Sequence, residues 1–169
     1  MKENLYTPNS IRTVSGQYVN VFDPDPDTIL IEDIAHALSQ LPRFGGHLPK
    51  MYSVAQHSIA CCILVPDEFK MEALLHDASE AYLLDMPRPI KENLPDYKKV
   101  EANLQEIICK KFNLPFPMNK VIKEIDKEML EFEWNVLMLG HNSHLVTCNS
   151  SYVAKQEFLL LYNSIKAAL

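Results

Sequence analysis

Apolar and polar positions recur at two different periods along the chain, and the change of period marks out its elements. In Ile11-Arg12-Thr13-Val14 and Gln17-Tyr18-Val19-Asn20-Val21-Phe22 the period is two, and Ser15-Gly16 between them offers a residue tolerant of positive φ, so a small peripheral hairpin is predicted. Asp23-Pro24-Asp25-Pro26-Asp27 breaks the pattern, after which Ile31, Ile34, Ala35, Leu38 and Leu41 recur at helical spacing until Pro42. A loop, Arg43-Phe44-Gly45-Gly46-His47-Leu48-Pro49-Lys50, then leads to a second helix. Ser53 and Gln56 stand three apart at its start, as in a capping box. Val54, Ala60, Cys61 and Leu64 flank His57 at helical spacing, so its imidazole is predicted to point inward.

Pro66 and Asp67 end that helix, and a third is predicted from about Glu68 to Leu84, where Leu75, Ala78 and Tyr82 accompany His76, Asp77 and Glu80. Met86-Pro87-Arg88-Pro89 cannot continue it, which leaves Asp85 at a helix exit. A helix follows over Tyr97 to Phe112, and a longer one over Asn119 to Leu139 whose core stripe is Ile122, Ile125, Met129, Phe132, Val136 and Leu139. Asp126 falls on that stripe. After Gly140-His141-Asn142-Ser143-His144, a last amphipathic helix runs from Ser151 to Ala167 with Val153, Phe158, Leu161 and Ile165 inward. The prediction is an all-α orthogonal helical bundle with a small N-terminal β-hairpin. It is a single domain over 1–169: a peripheral hairpin and turn at 1–30, a core at 31–139, and a C-terminal loop and helix at 140–169.

Composition narrows the function classes. The 169 residues carry a net charge of -6 with 22% charged and 47% apolar positions, an ordinary soluble balance that provides no general field for a nucleic-acid polymer or an anionic membrane. Met1 to Ser10 has no apolar signal core and no stretch approaches a bilayer span, so a cytoplasmic protein is expected. Cys61, Cys62, Cys109 and Cys148 form no Cys-x-x-Cys pair and read as reduced core thiols. With only 4 glycines there is no glycine-rich phosphate cradle, and phosphate binding must rely on side chains or a metal.

The chemistry collects around Leu74-Leu75-His76-Asp77-Ala78-Ser79-Glu80-Ala81-Tyr82-Leu83-Leu84-Asp85, an imidazole and three carboxylates in an otherwise apolar stretch. Ionised groups taken out of water need a counter-charge, a metal or a shifted pKa, which marks the stretch as a site. Joined to His57 and Asp126, it supplies two imidazoles and two carboxylates, a set suited to one divalent Zn, Co, Mn, Ni or Fe with positions left for water and substrate. A lone buried histidine is usually structural; four inward polar groups together are harder to explain that way. His36 reads as structural, and His141 with His144 as exposed imidazoles rather than a second metal pair.

Over roughly Ile31 to Leu139 the chain resembles the HD-domain phosphohydrolases, and most closely their compact bacterial and phage 5′-deoxynucleotidase branch. The likeness rests on Arg43-Phe44, Tyr52-Ser53-Val54-Ala55-Gln56-His57-Ser58, His76-Asp77-Ala78-Ser79-Glu80, Asp85-Met86-Pro87-Arg88-Pro89 and Asp126. It implies metal ligation by His57, His76, Asp77 and Asp126, general acid/base work by Glu80, contact with the sugar 3′-hydroxyl or shared proton work by Asp85, and phosphate binding by Arg43. Phe44, where the family often carries tryptophan, and His47 are candidate substrate contacts; His47 reads equally as a structural loop residue. Arg88 and Lys91 read as rim charges. The activity implied is cleavage of the 5′-phosphate ester of deoxyribonucleoside monophosphates by a homodimer. Release of triphosphate from deoxynucleoside triphosphates, and a non-catalytic nucleotide-binding regulatory module, are the alternatives.

Overall fold

The computed structural model describes residues 7–168; most of the Met1 to Ser10 stretch searched for a signal core lies outside that range. The fold is all-α with one two-stranded antiparallel hairpin, β1 (Ser10–Arg12) and β2 (Tyr18–Asn20), in which Ile11 faces Val19. Gly16 takes a φ of +91° in its turn. The hairpin is tied in rather than peripheral. Val19 is fully buried in the common core, and Asp33 accepts bonds from the backbone N–H and hydroxyl of Ser15 at 2.9 and 2.7 Å.

Helix α1 (Ile31–Gln40) buries Ile34, Ala35 and Leu38, and ends before Pro42, which pairs with Ser53 in an isolated antiparallel bridge. That bridge closes the intervening loop and brings Arg43 beside the start of α2 (Val54–Leu64). Both predicted capping-box bonds form there: Ser53 accepts from the Gln56 N–H, and Gln56 accepts from the Ser53 N–H. Leu64, placed on the inward face by its spacing, is instead 59% exposed at the last residue of α2, although Cys61 and Cys62 before it are fully buried.

The predicted helix over Glu68 to Leu84 is broken. A 3-10 turn (Asp67–Phe69) leads into α3 (Lys70–Leu74), then comes a run of tight turns, then α4 (Glu80–Leu83). The cause is local. The His76 ring bonds the Ala73 carbonyl at 2.7 Å, the acceptor that the Asp77 N–H would need to continue an α-helix. The next N–H groups, Ala78, Glu80, Ala81 and Tyr82, bond three residues back instead. Gln105 holds this break, accepting from the Ser79 N–H at 3.0 Å and donating to the Leu75 carbonyl at 2.9 Å.

Short α5 (Arg88–Lys91), long α6 (Pro95–Lys111) and α7 (Lys120–Glu133) follow, with Asn119 capping α7. A π-turn over Trp134–Met138 extends α7. Its stripe is corrected at two positions: Phe132 is 38% exposed while Glu133 is fully buried, and Leu139 is also exposed. From Met129 one helical turn falls between 132 and 133; the neighbours of Glu133, not its hydropathy, decide which goes inside. Finally α8 (Ser151–Ala168) packs on α1, α2 and α3 and sends Ala154, Phe158, Tyr162 and Ile165 into the same core, leaving Val153 38% exposed. Among the described residues no helix is long and apolar enough to cross a membrane.

Candidate metal centre

Three segments converge below one wall of a cleft of about 1380 Å³: the first turns of α2, the break between α3 and α4, and the middle of α7. They bring together His57, His76, Asp77 and Asp126. His57 Nε2 lies 3.1 Å from Asp126 Oδ1 and 3.8 Å from Asp77 Oδ2; His76 Nε2 lies 3.2 Å from Asp77 Oδ2 and 3.8 Å from Asp126 Oδ1. The two rings are tilted at 55° with centroids 5.3 Å apart. Atoms bound to one ion at about 2.0–2.2 Å stand about 3–3.6 Å from each other in a tetrahedral or octahedral shell. Two of these separations fall in that range and the other two, at 3.8 Å, lie just outside it, close to the spacing around one divalent cation.

The outward-facing bonds of both imidazoles also suit that role. His57 Nδ1 sits 2.7 Å from Glu133 Oε1, and His76 Nδ1 sits 2.7 Å from the Ala73 carbonyl, so each ring donates through Nδ1, and Nε2 is the nitrogen left for an ion once its proton is displaced. His76 Nε2 is buried and makes no hydrogen bond. Burial works against a charge on either imidazole, yet bonds to Asp126, Cys61 and Glu133 hold His57 well above its usual pKa, and Asp77 and Asp126 do the same for His76. Asp77 is driven the other way: burial would raise it, but His76, His57 and Arg43 bring it down to about 2. Asp126, also partly desolvated, is likewise held far below the carboxylate range by the two imidazoles. Protons and a divalent cation compete for the same Nε2 lone pairs.

Glu80, at the first turn of α4, is 6% exposed, and its Oε2 is buried with no hydrogen-bond partner. Burial, then the charges of Asp77 and Asp85, push its pKa well above the usual value, which favours the protonated acid. Asp85 leaves α4 through Leu84, whose φ of +70° is unusual for a branched residue; the Tyr97 hydroxyl, 3.1 and 3.0 Å from the Leu83 and Leu84 carbonyls, holds that exit. Desolvation raises Asp85 despite Arg43. Arg43 is 8% exposed. Its Nε and Nη2 bond Glu133 at 3.3 and 3.2 Å, and its Nη1 is 3.6 Å from Asp85, so only one edge of the guanidinium faces the cleft.

Phe44 and Trp134 make an aromatic wall, ring centroids 6.1 Å apart, beside exposed His47. Arg88 and Lys91 line the opposite rim; Lys91 bonds Glu101 at 2.5 Å and Arg88 bonds Glu92 at 2.9 Å. Lys98 and Lys123 also line the cleft and make no ion pair among the described residues. His141 and His144 are exposed, and His36 on α1 is half-buried, all away from the cleft lining.

Sequence reasoning missed Glu133, Trp134 and Cys61. Glu133 is seven residues beyond Asp126, two turns along the same face of α7, and that spacing was its signal. Cys61 is one turn beyond His57 on α2; His57, Cys61 and His76 offer ligand atoms all within 4.8 Å of one another, a buried group able to hold a metal ion.

Fold and site together define an all-α protein with a buried, metal-competent cluster at the floor of a cleft. The chain is 46% identical over 133 residues to the uncharacterized protein YfdR of Escherichia coli, spanning 79% of this chain and 75% of that one. It is 34% identical over 129 residues to an uncharacterized protein of Rhodobacter capsulatus, spanning 68% and 66% of the two. The chain belongs to the YfdR family. No family model matches it.

Proposed function

We propose that this protein is an HD-domain, metal-dependent phosphohydrolase that cleaves the 5′-phosphate ester of deoxyribonucleoside monophosphates to deoxynucleoside and phosphate. The observation that carries the reading is the convergence of two imidazoles and two carboxylates from three separate segments beside a cleft, each Nε2 within 3.1 to 3.8 Å of both carboxylates. His57, His76, Asp77 and Asp126 would hold the ion. When bound, a divalent transition metal supplies Lewis-acid polarisation of the phosphoryl group and acidifies water.

The remaining roles fall to the chain's own groups. The free edge of Arg43 binds phosphate oxygens, and the Glu133 and Asp85 carboxylates fix its orientation. Glu80, favoured as the neutral acid, donates its proton to the departing 5′ oxygen. Asp85 accepts a bond from the sugar 3′-hydroxyl. Phe44 and Trp134 offer ring faces to the base, with His47 at the edge. The homodimer implied by the resemblance stays part of the reading, and light scattering reads it.

A second reading, release of triphosphate from deoxynucleoside triphosphates, draws on Lys98 and Lys123, rim cations without an ion-pair partner among the described residues. The test is a panel of deoxynucleoside mono- and triphosphates assayed for phosphate and triphosphate with Co, Mn, Zn, Ni and Fe each supplied in turn. Phosphate from monophosphates supports the first reading. Triphosphate release favours the second, and turnover of neither by metal-loaded protein favours a nucleotide-binding regulatory module.

A further inference from the structure

Resting on the metal reading above, we infer that Cys61 is a thiolate ligand of the ion, which makes this a centre selective for zinc or cobalt over magnesium or manganese. Cys61 is fully buried on α2, one turn beyond His57, with Sγ 3.7 Å from His57 Nε2. Sulfur and nitrogen bound at about 2.3 and 2.0–2.1 Å to one five-coordinate ion, roughly 90–120° apart, stand about 3.1–3.8 Å from each other, and the observed separation lies in that range.

A second observation points into the same space. The His76 side chain is 6% exposed, its Nε2 has no hydrogen-bond partner, and a ring nitrogen of His76, a ring nitrogen of His57 and the Cys61 Sγ all lie within 4.8 Å of one another. The other three cysteines do not share this setting. Cys62, the next residue, faces the apolar core, and burial pushes its thiol up to about 12. On binding, the Cys61 sulfur forms a bond to the ion and gives its proton to solvent, with no oxidant or reductant involved. Thiolate is a soft donor that favours zinc and cobalt, whereas a shell of imidazole and carboxylate alone also accepts manganese and magnesium.

The experiment titrates chelator-treated, full-length protein with cobalt(II) and records its spectrum, for wild type, Cys61→Ser and Cys61→Ala. Wild type is expected to show visible d–d bands together with a near-ultraviolet thiolate-to-cobalt charge-transfer band. Both variants should keep the d–d bands and lose the charge-transfer band. In zinc–manganese competition, Cys61→Ser should lose more than about tenfold of its preference for zinc. Cobalt bound by wild type without the charge-transfer band overturns the inference and leaves the four-ligand centre intact. No bound cobalt at all overturns both. Circular dichroism shows that each variant is folded; should Cys61→Ser not fold, Cys61→Ala and the wild-type spectrum still decide.

Discussion

Glu133 is the group on which the centre's rigidity depends most directly, and replacing it perturbs two cations at once. It is fully buried, accepts from His57 Nδ1 at 2.7 Å, and pairs with Arg43 through two bonds near 3.2 Å. Glu133→Ala leaves a buried guanidinium without its main partner, and breaking such a pair from one side costs about 3–5 kcal/mol. Asp85 remains 3.6 Å from Nη1 as a weaker counter-charge, so the loss should lie near the low end, about 3 kcal/mol. The same change frees the His57 ring, and loss of such an orienting partner typically costs roughly 10–100-fold in metal affinity. Urea denaturation of chelator-treated protein reads the first effect, and competition with a chromophoric chelator reads the second. Glu133→Gln, which keeps an acceptor for His57, should retain more metal affinity than Glu133→Ala. The double variant Arg43→Met/Glu133→Leu should be more stable than Glu133→Ala, because no charge is left stranded. A Glu133→Ala protein with wild-type stability and wild-type metal affinity would refute this reasoning.

Stability of the chelator-treated protein should be highest towards the acid end of the range from about pH 4 to pH 6.5: unfolded aspartates are ionised and unfolded histidines still protonated across it, while the raised Glu80 and Asp85 cost stability as pH climbs. Asp77 is depressed to about 2, so its contribution is full above the unfolded value and is lost as pH falls towards 2; His57 and His76 are raised, so theirs is full below about pH 6.5 and is lost as pH rises through their folded values. Thermal melts across pH read both flanks, and saturating zinc should flatten the alkaline one by displacing the imidazole protons. Gln105→Leu strands the Ser79 N–H in the buried break, at about 1–3 kcal/mol, while the Leu75 carbonyl keeps the Ala78 N–H, and the melting temperature should fall accordingly. Leu84→Gly should go the other way: at φ +70° and ψ 157° a leucine is strained, and its side chain is 59% exposed, so the variant should gain about 1 kcal/mol in urea denaturation. Glu80→Gln should keep its metal stoichiometry and lose roughly 10²–10⁴-fold in phosphate release.

Where hydrophobic period and chain chemistry agree, the elements are legible in the order of residues alone: α1, α2 with its capping box, and α8 stand at their expected positions. The break between α3 and α4 is not legible from periodicity, because its cause is a side chain bonding its own helix backbone at Ala73 and a glutamine thirty residues away. Glu133 fails for the complementary reason. A charged residue is assigned outward by hydropathy, and only the spatial meeting of Arg43 and His57 turns that preference round. The four residues expected to be ligands, which the fold brings together, stand out in the sequence because each polar group interrupts an apolar face. Cys61 does not, since a buried cysteine resembles any small apolar residue until its distance from two imidazoles is known.

The most direct test of the metal centre is the metal content of the purified, chelator-treated and reconstituted protein, measured by elemental analysis against protein concentration. One tightly retained divalent ion per chain is expected, lost in His57→Ala and Asp126→Ala variants that remain folded. Wild-type protein that retains no ion after reconstitution, or variants that retain it unchanged, would contradict a centre built from these side chains.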